Sequence, residues 1–145
     1  MGFVRGFIEF ARVDMPHVPV EERVKSFCEI YGTLPDDKAK IQAGRCMDCG
    51  IPFCMHECPL HNDMPDFNDF VCEGEYKKAY TVLSSTNNFP EITGRICPAL
   101  CEEGCTLGIH REAVGIKSVE RKIAEFALSL QPSSFEMICQ TSNNM

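Results

Sequence analysis

The sequence contains no apolar run close to the roughly 20 residues that a membrane-spanning helix needs. Its first residues lack the apolar core and the small-residue cleavage site of a secretory signal, and they lack the Ser or Thr of a myristoylation signal. There is no block of Lys and Arg, and the formal net charge is −7, so no surface that tracks phosphates is expected. These absences predict a cytoplasmic protein that contacts neither membranes nor nucleic acid.

The sequence also gives no sign of β-structure, because no segment sustains the alternation of apolar and polar residues that predicts a half-buried strand. Helical spacing of apolar residues is clear instead, and it is bounded by capping signals such as Asp63 before Pro65 and Gly74 at the other end. We therefore expect an all-α fold. Helices are predicted from residue 36 to near 44, from 64 to 74, from 76 to 83 and from 116 to 130.

The N-terminal part is harder to interpret. Residues 1–18 are expected to be extended and, because they are rich in Phe, to dock on another surface. Residues 20–31 carry apolar side chains at helical spacing, which predicts an amphipathic helix. These side chains are Val24, Phe27, Cys28 and Tyr31. On this interpretation Cys28 is a small buried hydrophobe.

Cysteine is abundant, with ten residues in 145, and seven of the ten fall in two short runs. The first run, 46–59, has the spacing C-x2-C-x4-C-x3-C-P, and the second, 97–105, has the spacing C-x3-C-x3-C. In a cytosolic protein such runs favour metal or redox chemistry over disulfides. Thiolates at turn spacing followed by Cys-Pro are typical of iron–sulfur cluster binding. Both runs contain Gly and Pro and are predicted to be loops.

Two [4Fe–4S] clusters need four ligands each, whereas the two runs supply seven cysteines. In ferredoxins the last cysteine of a Cys-Pro run binds the other cluster. Applied here, this rule removes Cys58 from the first run's cysteines, Cys46, Cys49 and Cys54, and joins it to the second run's Cys97 and Cys101. Cys105 can complete either group. The last position needs Cys72 or a residue that is not cysteine.

Glu120 is a candidate for that position. It lies on the apolar stripe of the predicted 116–130 helix, whereas the other charged residues of the helix are expected on the opposite face. Those residues are Lys117, Arg121, Lys122 and Glu125. A carboxylate on an apolar stripe is costly to bury unless it is paired or binds a metal. The alternatives are a carboxylate at the rim of the stripe, or one paired with Arg95 or Arg111.

Several segments closely resemble the N-terminal iron–sulfur domain of the NADPH-dependent glutamate synthase small subunit, a domain shared with dihydropyrimidine dehydrogenase and related flavin oxidoreductases. The resemblance covers roughly residues 6–130. The matching segments are Arg45-Cys-Met-Asp-Cys-Gly-Ile-Pro-Phe-Cys54, Cys58-Pro-Leu-His-Asn62, Asn87-Asn-Phe-Pro-Glu-Ile-Thr-Gly-Arg-Ile-Cys-Pro98, Cys101-Glu-Glu-Gly-Cys105 and Ile116-Lys-Ser-Val-Glu120.

The resemblance implies an α-helical ferredoxin-like domain with two [4Fe–4S] clusters. It assigns the first cluster to Cys46, Cys49, Cys54 and Cys105, and the second to Cys58, Cys97, Cys101 and Glu120. From the resemblance together with the apolar start and the polar end of the sequence, we expect a docking segment with a short helix (1–35), the cluster domain (36–130) and a flexible tail (131–145). The implied function is electron transfer from NADPH and FAD, bound elsewhere, to the large subunit that forms glutamate. No catalytic residue is expected in this chain.

Relatives of this kind bind FAD and NADPH in further domains, each announced by a Gly-rich turn from strand to helix. No glycine follows Gly115. The chain is therefore expected to be one component of an oxidoreductase, either an excised domain or a stand-alone protein, with a flavin- and NADPH-binding domain and the large subunit as partners. The apolar N-terminus also allows a homodimer.

A second interpretation is a zinc-stabilised or metal-free interaction module with no redox role. Zinc sites favour paired C-x2-C knuckles, and only one such pair is present. A disulfide-rich scaffold is a third, weaker interpretation.

Overall fold

The computed structural model describes residues 3–130. The tail predicted at 131–145 and Cys139 lie outside them. Within this range the chain is helical, and its only β-pairing is an isolated bridge between His17 and Tyr31, which confirms the all-α prediction. The α-helices are α1 (Gly6–Glu9), α2 (Val20–Arg23), α3 (Asp36–Ala43), α4 (Phe53–Glu57), α5 (Met64–Glu73), α6 (Tyr76–Thr86), α7 (Pro90–Ile96), α8 (Leu100–Glu103) and α9 (Ile116–Ser129), with a 3-10 turn at Thr106–Ile109. None of these helices is long and apolar enough to cross a membrane.

Helices α5 and α6 form a hairpin whose ends follow from local sequence. The Asp63 side chain caps α5 by accepting a hydrogen bond from the Asp66 amide at 3.4 Å, and Pro65 lies in the first turn. Gly74 ends α5 with φ of 82°, a left-handed conformation that glycine adopts without strain. The chain then enters α6 at once, so the apolar faces of both helices turn to the same core.

Helix α9 lies at the centre of the fold and contacts α3, α5, α6, α7 and α8. Its apolar face is buried against side chains such as Phe67 and Leu83. Helix α7 approaches α9 closely because Gly94 has no side chain, since a Cβ there would lie 3.0 Å from Arg121 Cβ. The carboxylate-bearing face of α9 is thereby held in place from several sides.

The N-terminal segment differs from its prediction. Residues 1–18 are not extended throughout, because α1 forms one turn in which Gly6 packs directly on Gly44. The helix predicted over 20–31 ends at Arg23. The Phe27 side chain is fully exposed, and Cys28 is exposed as well. The prediction of a buried Cys28 was therefore wrong. A short helix is not stable without a partner for its apolar face. Val24, Phe27 and Cys28 are exposed, and only Tyr31 of this stripe makes an aromatic contact, edge-to-face with His17, among the described residues.

The cysteine runs contain more helix than their Gly and Pro content predicted. Helices α4 and α8 lie inside the runs, and α7 leads into the second. Pro52 precedes α4 and Pro90 begins α7, positions where proline's missing N–H costs nothing. The prediction of loops was therefore wrong for these stretches.

Candidate metal centres

The two cysteine runs meet where α4 packs against α8. Cys54 lies in the first turn of α4 and Cys58 follows its end, while Cys101 lies in α8 and Cys105 follows its end. Cys54 has Cys105 among its charged neighbours, and Cys101 has Cys58. The contact between these two short helices therefore brings cysteines of both runs close enough to influence one another's charge.

Gly104 makes this close contact possible. A Cβ at Gly104 would lie 2.4 Å from Glu57 Cγ and 3.2 Å from the Phe53 carbonyl oxygen. Both distances are short, so a side chain at Gly104 requires Glu57 and the adjoining part of α4 to shift, and a larger side chain requires a larger shift. By contrast, a Cβ at Gly50, in the first run, would meet nothing within 4 Å.

We call the group Cys46, Cys49, Cys54 and Cys105 site A. All four cysteines line one small pocket that is partly open to solvent. Its walls are mainly apolar. They include Met64, Leu107, Val114 and Ile116. The structure thus brings together the four cysteines that the sequence assigned to one cluster.

Burial raises the pKa of the Cys46 thiol to about 11 and that of Cys54 to about 12, and the neighbouring thiols add to both effects. Without metal these thiols are therefore protonated at neutral pH. Because only the thiolate binds metal, metal binding at site A releases protons.

A buried cation lies beside site A. Arg45 precedes Cys46 and is 1% exposed. Its guanidinium donates to the carbonyl oxygens of Ala113 at 3.0 Å and Glu112 at 2.6 Å, but its Nε has no partner. Burial lowers the Arg45 pKa, while the nearby Glu112 and Cys105 charges act in the opposite direction. No carboxylate among residues 3–130 forms an ion pair with Arg45, so its charge lacks a direct counterion there.

We call the group Cys58, Cys97, Cys101 and Glu120 site B. Burial raises the pKa of Cys101, and the charged neighbours that raise it further are Glu120, Glu102, Cys58 and Cys97. The other three members of the group therefore lie close enough to Cys101 for their charges to act on it. Site A consists of cysteines alone, whereas site B includes the carboxylate of Glu120 and has a second carboxylate, Glu102, nearby.

Backbone groups support the Cys97 end of site B. The Ala99 amide donates to Cys97 Sγ at 3.4 Å, in a turn where Ala99 has φ of 62°. Lys117 Nζ donates to the Cys97 carbonyl oxygen at 2.7 Å, which ties the second run to α9. An N–H group directed at a thiolate stabilises its negative charge.

Glu120 is buried on the apolar face of α9, with 5% exposure, so its predicted position on the stripe is confirmed. Burial raises its pKa to about 7, against the opposing effect of one hydrogen bond from Asn62 Nδ2 to Oε1 at 3.0 Å. The alternative partners are engaged elsewhere: Arg95 binds Glu29 and Glu125, and Arg111 binds the Ile8 carbonyl. Pairing of Glu120 with either arginine, one of the alternatives, is therefore not observed.

The expectation for Arg121 fails, and the surroundings of Cys72, an alternative that the sequence left open, can be described. Arg121 was expected on the exposed face of α9, but it is 2% exposed and donates to the Tyr31 carbonyl oxygen at 2.6 Å, because the N-terminal segment folds back over α9. Cys72, the cysteine alternative for the eighth ligand, has Glu73 and Lys40 as its nearby charges and no member of either site.

The nine described cysteines are all free, so a disulfide scaffold is not observed in residues 3–130.

The residues present fit iron–sulfur chemistry. Site A offers four soft thiols around an apolar cavity, and site B offers three thiols and a carboxylate. Glu120 Oε2 has no hydrogen-bond partner among the described residues, which leaves it available to a metal. In the part of the chain that the structure describes, no three His, Cys, Asp or Glu side chains are gathered as ligands of one ion. The ligands of a four-iron cluster bind different irons and stand further apart.

Asn62 and Thr86, which contact Glu120 directly or through one another, were not identified from the sequence. The sequence signal that could have identified Asn62 was weak. A polar side chain four residues after Cys58 and immediately before a helix cap is typical of exposed turns.

Comparisons with known proteins agree with these observations. Residues 23–131 match the family model described as dihydropyrimidine dehydrogenase domain II, 4Fe-4S cluster. The chain is 44% identical over 123 residues to the glutamate synthase [NADPH] small chain of Mycobacterium tuberculosis, an alignment that covers 84% of this chain and 25% of the relative. It is 42% identical over 134 residues to the corresponding Bacillus subtilis protein, covering 86% and 27%. It is 47% identical over 125 residues to the glutamate synthase [NADH] of Saccharomyces cerevisiae, covering 85% and 6%. The chain thus spans about a quarter of the length of the small chains it matches.

Proposed function

Since the chain belongs to the dihydropyrimidine dehydrogenase domain II family of 4Fe-4S cluster domains, we propose that it is the electron-transfer domain of an oxidoreductase of the glutamate synthase small-subunit type, and that it carries two [4Fe–4S] clusters. The cluster domain extends over residues 36–130. Its likeness to several glutamate synthase small chains supports this assignment within the family.

Site A holds the first cluster through Cys46, Cys49, Cys54 and Cys105. Site B holds the second through Cys58, Cys97, Cys101 and Glu120. The observation that carries the proposal is the gathering of four thiols from two distant runs around one apolar cavity. When bound, [4Fe–4S] clusters accept and donate single electrons at potentials set by net charge, hydrogen bonds to sulfur and exposure.

The chain's own residues set the charge, the hydrogen bonds and the exposure on which these potentials depend. Mainly apolar walls limit the contact of site A with water, and Arg45 supplies a buried positive charge beside it. The Ala99 amide stabilises charge on Cys97 in site B. The domain contributes no acid, base or nucleophile, and its role is to position two electron carriers close together.

In the complete system, electrons come from NADPH through FAD, both bound outside this chain, and leave towards the large subunit that forms glutamate. The partners are therefore a flavin- and NADPH-binding domain and that large subunit, and a homodimer remains a prediction. The chain alone does not complete a catalytic cycle. The names of the relatives support this pathway, and the cytoplasm is its expected location.

Anaerobic reconstitution with iron and sulfide tests the proposal. The reconstituted chain is expected to be brown, to bleach on addition of chemically reduced FAD and to regain its colour on reoxidation. A colourless chain that takes up zinc instead, or a brown chain that reduced flavin and dithionite both fail to bleach, would contradict it.

A further inference from the structure

Three elements converge behind Glu120. Asn62 lies in the loop between Cys58 and α5 and is 2% exposed. Its amide nitrogen donates to Glu120 Oε1 on α9 at 3.0 Å, and its amide oxygen accepts from Thr86 Oγ1, at the end of α6, at 2.8 Å. Thr86, Asn62 and Glu120 therefore form a chain of hydrogen bonds that joins three segments distant in sequence.

This series of hydrogen bonds has a defined direction from donor to acceptor. The ionised Glu120 carboxylate only accepts hydrogen bonds, so the amide nitrogen must face it, and the amide oxygen is left to accept from the Thr86 hydroxyl. The reversed amide would place two oxygens against each other, which is repulsive when the carboxylate is ionised. One oxygen of Glu120 is thus fixed by Asn62, while Oε2 has no hydrogen-bond partner among residues 3–130.

We propose that Asn62, oriented by Thr86, is a positioning residue that holds Glu120 as a ligand of the second cluster through a single oxygen, Oε2. The inference rests on the proposed function, because it needs a cluster at site B. Asn62 follows the ligand Cys58 by only four residues, so the same loop provides one ligand of site B and orients another. Partners of this kind hold metal ligands in place, and their removal typically lowers metal affinity by roughly 10–100-fold.

The test uses the full chain, reconstituted anaerobically, with three variants. Asn62→Leu replaces the amide with an apolar group of similar size, Thr86→Val removes the hydroxyl, and Thr86→Ser retains it. The matched control is Thr81→Val, which removes an exposed α6 hydroxyl that bonds only to the Lys77 carbonyl of its own helix. The measurements are the EPR signal and midpoint potential of each cluster and the rate at which a ferrous chelator removes it.

In Asn62→Leu, the second cluster is expected to be lost roughly 10–100-fold faster, with an altered signal and potential, while the first cluster keeps its wild-type values. Thr86→Val should change the second cluster in the same direction by a smaller factor. Thr86→Ser and Thr81→Val should match the wild type.

The inference is overturned if the second cluster of Asn62→Leu keeps its wild-type signal, potential and rate of loss, or if both clusters change equally. Should Asn62→Leu fail to fold, the comparison between Thr86→Val and Thr81→Val provides the test, because Thr86 is exposed. If the second cluster has the same signal, potential and rate of loss in these two variants, the inference is overturned. A wild-type chain that assembles no second cluster contradicts the proposed function itself, so the two failures are distinguishable.

Discussion

Sites A and B are built on the same pair of short helices, yet their surroundings differ. Site A has four thiols, an apolar cavity and the buried cation Arg45. Site B has three thiols, a carboxylate held by a buried amide, and Glu102 nearby. The difference comes from the segments that complete each site: Arg45 and Cys46 follow α3, whereas Glu120 belongs to α9. On the proposed function, one shared framework provides two electron carriers with different electrostatics, and each prediction below separates the framework from the two surroundings.

The largest effect is expected from Gly104, because it serves both sites. In Gly104→Val the new side chain overlaps Glu57 and the backbone of α4, so α8 must move away. Overpacking of this kind costs about 1–3 kcal/mol and displaces ligands of both sites. Iron analysis should show that sites A and B are depleted together.

Gly50→Val is the control for that substitution. It adds the same side chain within the first run, where a Cβ meets nothing within 4 Å, and it should retain wild-type iron. Equal iron in both variants would contradict the role of the close contact.

Cys54 and Cys58 test whether neighbouring ligands serve different clusters. They lie at opposite ends of α4, and their neighbours in α8 differ. Cys54→Ser is expected to remove only the cluster of site A, and Cys58→Ser only that of site B, as followed by EPR of the reduced chains. Loss of the same signal in both variants would show that the assignment is wrong.

Glu120 tests the carboxylate that distinguishes site B. Glu120→Ala should lose or degrade the second cluster and leave the first, because the substitution removes the oxygen donor Oε2 from site B. Iron content should therefore fall by about half, given two clusters of equal iron. Retention of two intact clusters by EPR and iron assay would remove Glu120 from the ligand set.

The smallest effect is expected from Arg45. Removing its charge in Arg45→Gln should lower the midpoint potential of the first cluster, because the reduced state carries more negative charge. The second cluster should shift less, and Arg45→Lys, which retains the charge, should stay closer to the wild type. Redox titration by EPR measures all three. An unchanged or higher first potential in Arg45→Gln would contradict the role of this charge.

Much of the fold was predictable because caps and periodicity agree with the final packing. Asp63 and Gly74 bound α5 as expected, and Glu120 lies on the buried face of α9. Local patterns failed where tertiary contacts decide. The stripe through Phe27 has the spacing of a helix, but its side chains stay largely exposed, and Arg121 is covered by a segment ninety residues earlier in the chain.

The residues of the two sites likewise divide into those that the sequence predicts and those that it does not. Cysteine spacing and resemblance assigned the thiols to two groups, which the structure gathers as expected. Asn62, Thr86 and Arg45 could not be assigned, because an amide, a hydroxyl and a guanidinium acquire these roles only through contacts between distant segments. Sequence spacing identifies the donors of a metal site more readily than the groups that orient them.

The most direct test of the central claim is the iron and acid-labile sulfide content of the anaerobically reconstituted chain, measured together with its EPR spectrum after full reduction. Two clusters require about eight irons and eight sulfides per chain and two interacting signals. About half those values with one isolated signal, or a metal content dominated by zinc, would contradict the account.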